Sequence, residues 1–224
     1  QAIKYNCASV CIPPCHVAGA KRYAGDNLKI CTVIGFPNGY MTSAVKAFEA
    51  ADAIKNGADE IDIVLALNSF MAGDYESASR EISAIRSAID DEAAKEDRTV
   101  ILKVILETGL LVTAERIANA SFLAMEAGAD FIKTSTGKVE VNATPMAAYV
   151  MCECIRAYYQ ATGRKVGFKA AGGISTAKDA LSYYCIASFV LGKEWLDKRW
   201  FRFGVSRLGN SLMSAIEQKT VNYF

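Results

Sequence analysis

The chain has 224 residues, 52% of them hydrophobic, and a formal charge of +1 at neutral pH. That length suits one globular domain over residues 1–224, because α/β barrels commonly run ~200–250 residues as a single unit. Near-neutral charge gives no electrostatic case for nucleic acid or an anionic membrane as partner. No apolar run reaches the ~18 residues a membrane-spanning helix needs. The first residues, Gln1 to Asn6, lack the apolar core of a signal peptide. The seven cysteines lie mostly among apolar residues, which reads as free thiols in a reducing compartment, so a cytoplasmic location is expected. Cys11, Cys15 and His16 are close in sequence, but no second ligand pair follows at zinc-like spacing, so no metal site is expected.

Short apolar runs alternate with helical patterns along the chain. Cys7 to Ile12, stopped by Pro13-Pro14, and Leu28 to Phe36, stopped by Pro37-Asn38-Gly39, read as buried strands. Thr42 or Ser43 caps a helix over Ala44 to Asn56, and Gly57 suits its exit. Glu60 to Leu65 is the third strand. A helix over about Glu76 to Lys95 follows, with Glu81, Ile82, Ile85 and Ile89 on one face. Thr99 to Leu106 is the fourth strand, Thr113 caps a helix to about Ala127, and Asp130 to Thr134 is the fifth strand. Thr144-Pro145 opens a helix to about Thr162. Lys165 to Ala170 is the sixth strand, and Ser175 or Thr176 opens the next helix. Ile186 to Leu191 reads as the seventh strand, and a last helix covers about Ser206 to Gln218. The tail from Lys219 to Phe224 has no periodicity.

Two stretches echo each other, Ala53 to Asp59 and Ala124 to Asp130, each a helix end, a glycine exit and a strand start. Apolar strands alternating with helices imply a parallel sheet covered by helices, and the unbroken alternation favours a closed (β/α)8 TIM barrel over an open sheet. One strand is missing from that count. The expectation is a first strand preceding Gln1, in roughly 15–40 further residues, about one βα unit.

Four successive strands each carry an ionisable residue among apolar ones: Asp62, Lys103, Lys133 and Lys169. A single such lysine would ordinarily hold its head in water, since buried unpaired charge is costly. In a parallel barrel alternate residues point inward, so all four can face one lumen, where opposite charges compensate. Burial and a neighbouring cation depress a lysine's pKa, and a free amine attacks carbonyls to form a Schiff base. A purely structural ion-pair cluster is the competing explanation. The loops after the strands add an anion signal: Gly137-Lys138, Gly172-Gly173 and Gly204-Val205-Ser206 stand where barrels commonly hold phosphate at a helix N-terminus.

Phe131 to Lys138 (FIKTSTGK), Val166 to Gly173 (VGFKAAGG), Glu60 to Val64, Leu102 to Gly109, Val141 to Pro145 and Phe201 to Gly204 together resemble the 2-deoxyribose-5-phosphate aldolases. The likeness runs in order from about Ser9 to about Leu212. It implies a metal-independent class I aldolase on a (β/α)8 barrel, without cofactor, that interconverts 2-deoxy-D-ribose 5-phosphate with acetaldehyde and D-glyceraldehyde 3-phosphate in deoxyribonucleoside catabolism. By resemblance Lys133 is the Schiff-base lysine, Lys169 its neighbouring lysine and Asp62 the proton-transfer carboxylate. Lys103 is expected to pair with Asp62 and orient it. Gly137, Lys138, Gly172, Gly173, Gly204 and Ser206 match phosphate-loop positions. The implied partner is the phosphosugar; the assembly, homodimer or homotetramer, is left open.

The chain departs from the pattern in three places. The family's first strand is absent, Arg207 stands where many members have a second serine after the position of Ser206, and Tyr223 matches a C-terminal proton-transfer tyrosine by proximity to the terminus alone. Two other classes fit the residues: a phosphosugar isomerase using a carboxylate without a covalent lysine, and a phosphometabolite-binding barrel without activity.

Overall fold

The structure, a computed structural model, describes residues 1–223. Seven parallel strands form one sheet in sequence order: β1 (Ser9–Ile12), β2 (Lys29–Ile34), β3 (Glu60–Val64), β4 (Ile101–Ile105), β5 (Phe131–Lys133), β6 (Gly167–Ala171) and β7 (Phe201–Gly204). Helices α1 (Val17–Ala24), α2 (Ser43–Lys55), α3 (Leu67–Met71), α4 (Tyr75–Ala94), α5 (Thr108–Leu111), α6 (Ala114–Glu126), α7 (Pro145–Thr162), α8 (Ala177–Leu191) and α9 (Leu208–Glu217) fill the crossovers and follow the last strand. The result is a seven-stranded, nearly closed β/α barrel, with β1 and β7 as the edges of the sheet.

Local chemistry sets the helix starts. Thr42, Thr113, Thr144 and Thr176 each accept a bond from the backbone N–H three residues on, satisfying one of the donors a helix start leaves free. Asp179 answers Thr176 reciprocally, closing a capping box. Helix α4 buries Ile82, Ile85 and Ile89 in the hydrophobic core. Its Glu81 pairs with the fully buried Lys46 of α2, whose ammonium also donates to the Val64 carbonyl. A buried ion pair is tolerated when further hydrogen bonds complete it, and this one ties α2, α4 and the end of β3 together.

The two echoing stretches do the same structural work. After the glycine exits at 57 and 128, Asp59 accepts from the Ile30 N–H at 2.9 Å and Asp130 accepts from the Leu102 N–H at 2.9 Å. Each aspartate thus caps the start of the preceding strand. Lys21 and Lys29 balance Asp59, and Arg86 and Arg164 balance Asp130.

Two elements differ from the sequence-based expectation. Residues 186–191 are the end of α8, not a strand. No glycine or proline interrupts Ala177 to Leu191 and Gly192 stops it, so the helix runs through an apolar, partly β-branched segment that periodicity alone cannot separate from a strand. The seventh strand is instead Phe201–Gly204, half-buried throughout and carrying an inward arginine. The sequence reading also passed over α1 and the short helices α3 and α5.

Strand alternation and register place the charged residues. Asp62 sits beside Lys103, Lys103 beside Phe131, and Phe131 beside Gly167. Lys133 lies two residues above Phe131 on the same face, beside Lys169, which in turn sits beside Arg202. Gly167 makes room for the Phe131 ring: a Cβ there would lie 2.3–2.5 Å from three ring atoms. Gly167→Ala is therefore expected to destabilise the barrel by about 1–3 kcal/mol, the usual cost of overpacking. Chemical denaturation checks this, and an unchanged midpoint would show the ring is free to move.

Candidate active site

Asp62 is fully buried and is the hub of the lumen. Its Oδ1 accepts from Lys103 Nζ at 2.8 Å and from the Cys31 thiol at 3.2 Å. Its Oδ2 accepts from Lys133 Nζ at 2.9 Å and Lys169 Nζ at 2.7 Å. Four side chains from four other strands thus converge on one carboxylate. Burial alone would raise its pKa, but the three ammonium groups outweigh burial and hold it well below the usual carboxylate range. Asp62 stays ionised.

A second carboxylate completes the arrangement. Glu60, one inward step below Asp62 on β3, accepts from Lys103 at 2.8 Å and from Arg202 Nη1 at 2.6 and 2.7 Å. Ser9 Oγ donates to it at 2.9 Å. Burial opposes ionisation, while Lys103 and Arg202 lower its pKa. Arg202 also lies 4.9 Å from the centre of the Phe131 ring. Lys103, fully buried between Glu60 and Asp62, is held protonated: the two carboxylates and Cys31 outweigh its desolvation. The pairing of Lys103 with Asp62 is as expected from sequence. Glu60 and Arg202 were not singled out there as site residues, although Glu60 shares its strand and inward face with Asp62.

Lys133 is where sequence and structure part. Its position on an apolar strand suggested a depressed pKa, and burial does act that way. The Asp62 carboxylate 2.9 Å away more than offsets it, with Cys11 adding, so the Lys133 pKa lies above the ordinary lysine value. Proximity of a second lysine was legible in the sequence; the anion between the two lysines as the stronger influence was not.

Above this hub opens a cleft of about 600 Å³. Lys133 and Lys169 form part of its floor, 6% and 4% exposed. Gly137, Lys138, Gly172, Gly173, Gly204 and Ser206 all line it, as does Arg207. Gly172 and Gly173 have φ of +87° and +78°, a region open to glycine at little cost, and a Cβ on Gly172 would lie 2.7–2.9 Å from Asn142. Asp62 and Lys103 lie beneath the floor and do not line the cleft. Glu107, buried and itself in left-handed backbone at φ +55°, accepts from the Thr136 N–H at 3.2 Å and from its hydroxyl. It thereby holds the loop that carries Gly137 and Lys138. Burial raises the Glu107 pKa, against the Thr136 hydrogen bonds. Tyr223 stands elsewhere: its hydroxyl donates to Glu217 at 3.1 Å and its ring stacks on Tyr5 at 5.9 Å.

Cys15 and His16 are exposed, and only Cys11 of that sequence cluster reaches the cleft. Among the described residues, one group has metal-ligand type and spacing: Cys11, Cys31 and Asp62, with ligand atoms within 4.8 Å of one another. Both Asp62 oxygens already accept from ammonium groups, which compete with any cation there. No described helix is long and apolar enough to cross a membrane.

Comparison with known proteins identifies the family. Residues 1–194 match the model of the DeoC/LacD family aldolases. A Caenorhabditis elegans protein is 41% identical over 207 residues, 91% of this chain, which spans 66% of that protein's length. A protein of Agrobacterium fabrum named deoxyribose-phosphate aldolase is 43% identical over 213 residues, 94% of this chain and 78% of that one. Among solved structures, a deoxyribose phosphate aldolase from Aeropyrum pernix, described as having a unique tetrameric structure, superposes with a TM-score of 0.77 at 25% identity, covering 97% of this chain and 81% of that one. A matching family model over most of the chain, close relatives and a shared barrel lead to one conclusion: this chain belongs to the DeoC/LacD family of aldolases.

Proposed function

We propose that this protein is a class I aldolase that reversibly cleaves 2-deoxy-D-ribose 5-phosphate into acetaldehyde and D-glyceraldehyde 3-phosphate, through a Schiff base on Lys133 and without a metal. The observation that carries the reading is the pair Lys133 and Lys169 sharing Asp62 Oδ2 on the floor of a cleft lined by glycine loops and cations. The family membership supports the reaction class, and the substrate in the name of the Agrobacterium relative supports the phosphosugar. Catabolism of deoxyribonucleosides in the cytoplasm is the physiological setting we infer.

The chemistry follows from the geometry. Four cations, Lys103, Lys133, Lys169 and Arg202, face two carboxylates, so the lumen carries surplus positive charge. Two ammonium groups on one oxygen repel each other, and when one gives up its proton the other keeps the pair. Lys133, freed in this way, attacks the aldehyde carbon; water leaves and the protonated imine becomes an electron sink. The carbon–carbon bond beta to the imine then breaks as the adjacent hydroxyl loses its proton. Asp62 lies below the floor, so it acts through the Lys169 ammonium or a bridging water rather than by direct contact. Protonation of the resulting enamine and hydrolysis of the imine release acetaldehyde and return Lys133. Gly137, Lys138, Gly172, Gly173, Gly204 and Ser206, with Arg207, hold the phosphate. That remote binding positions the reacting end.

Release of acetaldehyde from deoxyribose 5-phosphate, with and without EDTA, tests the reading. Equal activity in both is expected. Loss on chelation with recovery on adding zinc would sink the class I mechanism.

The lysine pair gives a pH test. Without Lys169, Asp62 Oδ2 serves Lys133 alone, so Lys133 holds its proton more tightly. Lys169→Leu is expected to lose activity steeply at neutral pH and recover part of it as pH rises, about tenfold for each unit of altered pKa. A pH–rate profile of unchanged shape, with lower stability, would leave Lys169 a structural role only.

A further inference from the structure

We propose that Cys11 and Cys31 form a peroxide-sensitive thiol pair, which closes to an internal disulfide beside Asp62. The two residues are direct register partners on adjacent parallel strands, β1 and β2. Neighbouring strands lie about 4.7–4.9 Å apart, inside the ~4.4–6.8 Å Cα separation that disulfides span. Both sulfurs lie within 4.8 Å of each other and of an Asp62 oxygen. Cys11 lines the cleft and is open to solvent, whereas Cys31 is fully buried behind it.

The surroundings divide the labour between the two thiols. The Cys11 thiol is brought down to about 7, chiefly by a hydrogen bond from Cys31, with Lys169 and Lys133 adding, against burial and Asp62. A thiolate at neutral pH, accessible and flanked by cations, is the reactive kind of cysteine. Burial, first, and the neighbouring Cys11 push the Cys31 thiol up, so it keeps its proton. That single proton is shared between the Cys11 sulfur and Asp62 Oδ1, the latter at 3.2 Å, and the Cys31 sulfur accepts from Lys103 at 3.4 Å.

The chemistry balances with a hydroperoxide as the two-electron oxidant. The Cys11 thiolate attacks the outer peroxide oxygen, the O–O bond breaks, and the alcohol or water leaves after protonation. The Cys31 sulfur then attacks the sulfenic sulfur of Cys11. The S–O bond breaks, and the departing hydroxide takes the Cys31 proton and leaves as water. Cys31 thereby ceases to donate to Asp62, so turnover falls about three- to tenfold, the worth of one such hydrogen bond. A dithiol reductant restores it.

The pair lies in the cleft assigned above to the aldolase reaction, but its formation is read by mass and does not depend on turnover. The purified protein is titrated with hydrogen peroxide and followed by intact mass and peptide mapping. The expected result is a loss of about 2 Da, with the peptides of Cys11 and Cys31 joined and released by reductant. Cys31→Ser is expected to stop at a dimedone-reactive sulfenic acid on Cys11. Cys11→Ser, at an accessible position, is expected to leave Cys31 reduced. Sulfinic acid on Cys11 without a cross-link, or disulfides through Cys7, Cys15 or Cys185 instead, would overturn the proposal. A Cys11–Cys31 link with unchanged acetaldehyde release would overturn the coupling to Asp62.

Discussion

Lys133→Ala is expected to abolish formation of the borohydride-stable adduct and to lower cleavage of deoxyribose 5-phosphate by about four to six orders of magnitude, the scale seen when a covalent nucleophile is removed. The reason lies in the floor of the cleft. Of the three lysines around Asp62, Lys103 is fully buried between two carboxylates and out of reach of a substrate, while Lys133 and Lys169 both line the cleft. Lys169 Nζ is bound to the same Asp62 oxygen at 2.7 Å. In the alanine variant Lys169 has that Asp62 oxygen to itself, which ties its Nζ to the carboxylate and keeps it from taking over as nucleophile. Mass spectrometry of the protein after reduction with borohydride in the presence of acetaldehyde reads this directly. A stable adduct on Lys169 in the Lys133→Ala variant would reverse the roles assigned to the two residues. The fold should survive the change, because the alanine leaves Asp62 two ammonium partners.

Asp62→Asn is expected to cost both stability and turnover, and to separate the two halves of the mechanism. The carboxylate is buried and accepts from three ammonium groups. Lys103 keeps Glu60, but Lys133 and Lys169 lose the carboxylate they share. Leaving buried cations uncompensated typically costs about 3–5 kcal/mol. Because the folded pKa of Asp62 is depressed, its contribution is complete above the ordinary carboxylate range and is lost as pH falls through the folded value. The gap between wild type and variant in denaturation midpoint should therefore narrow as the medium becomes strongly acidic. For Lys133 the sign is opposite. With the Asp62 anion gone, the strongest influence opposing desolvation is lost, and the Lys133 pKa falls. Imine trapping should thus persist at neutral pH while acetaldehyde release drops by about two to four orders of magnitude, the usual scale for losing an acid–base group. Equal loss of trapping and release would show that Asp62 does no more than hold the lysines in place.

Residue types and order by themselves determined the alternation of strand and helix and the caps at Thr113 and Thr144, and narrowed two more to Thr42 or Ser43 and to Ser175 or Thr176. A cap acts on the backbone N–H three residues away, so its partners are written next to it in the chain. The inward set Asp62, Lys103, Lys133 and Lys169 was legible for a similar reason, since a charge inside an apolar strand stands out and strand alternation says which way it points. The end of α8 and the short β7 were not legible. An apolar run of six residues fits either period, and Arg202 looks like a loop residue until Glu60, 142 positions earlier, is brought against it across the lumen. Only the tertiary structure decided which charge dominates Lys133. Desolvation and a neighbouring lysine both follow from sequence position, but barrel curvature places one Asp62 oxygen between two ammonium groups, and Coulomb energy falls with distance. The facing of Cys11 by Cys31, and the hold of Glu107 on Thr136, likewise exist only where strands and loops distant in the chain are brought side by side.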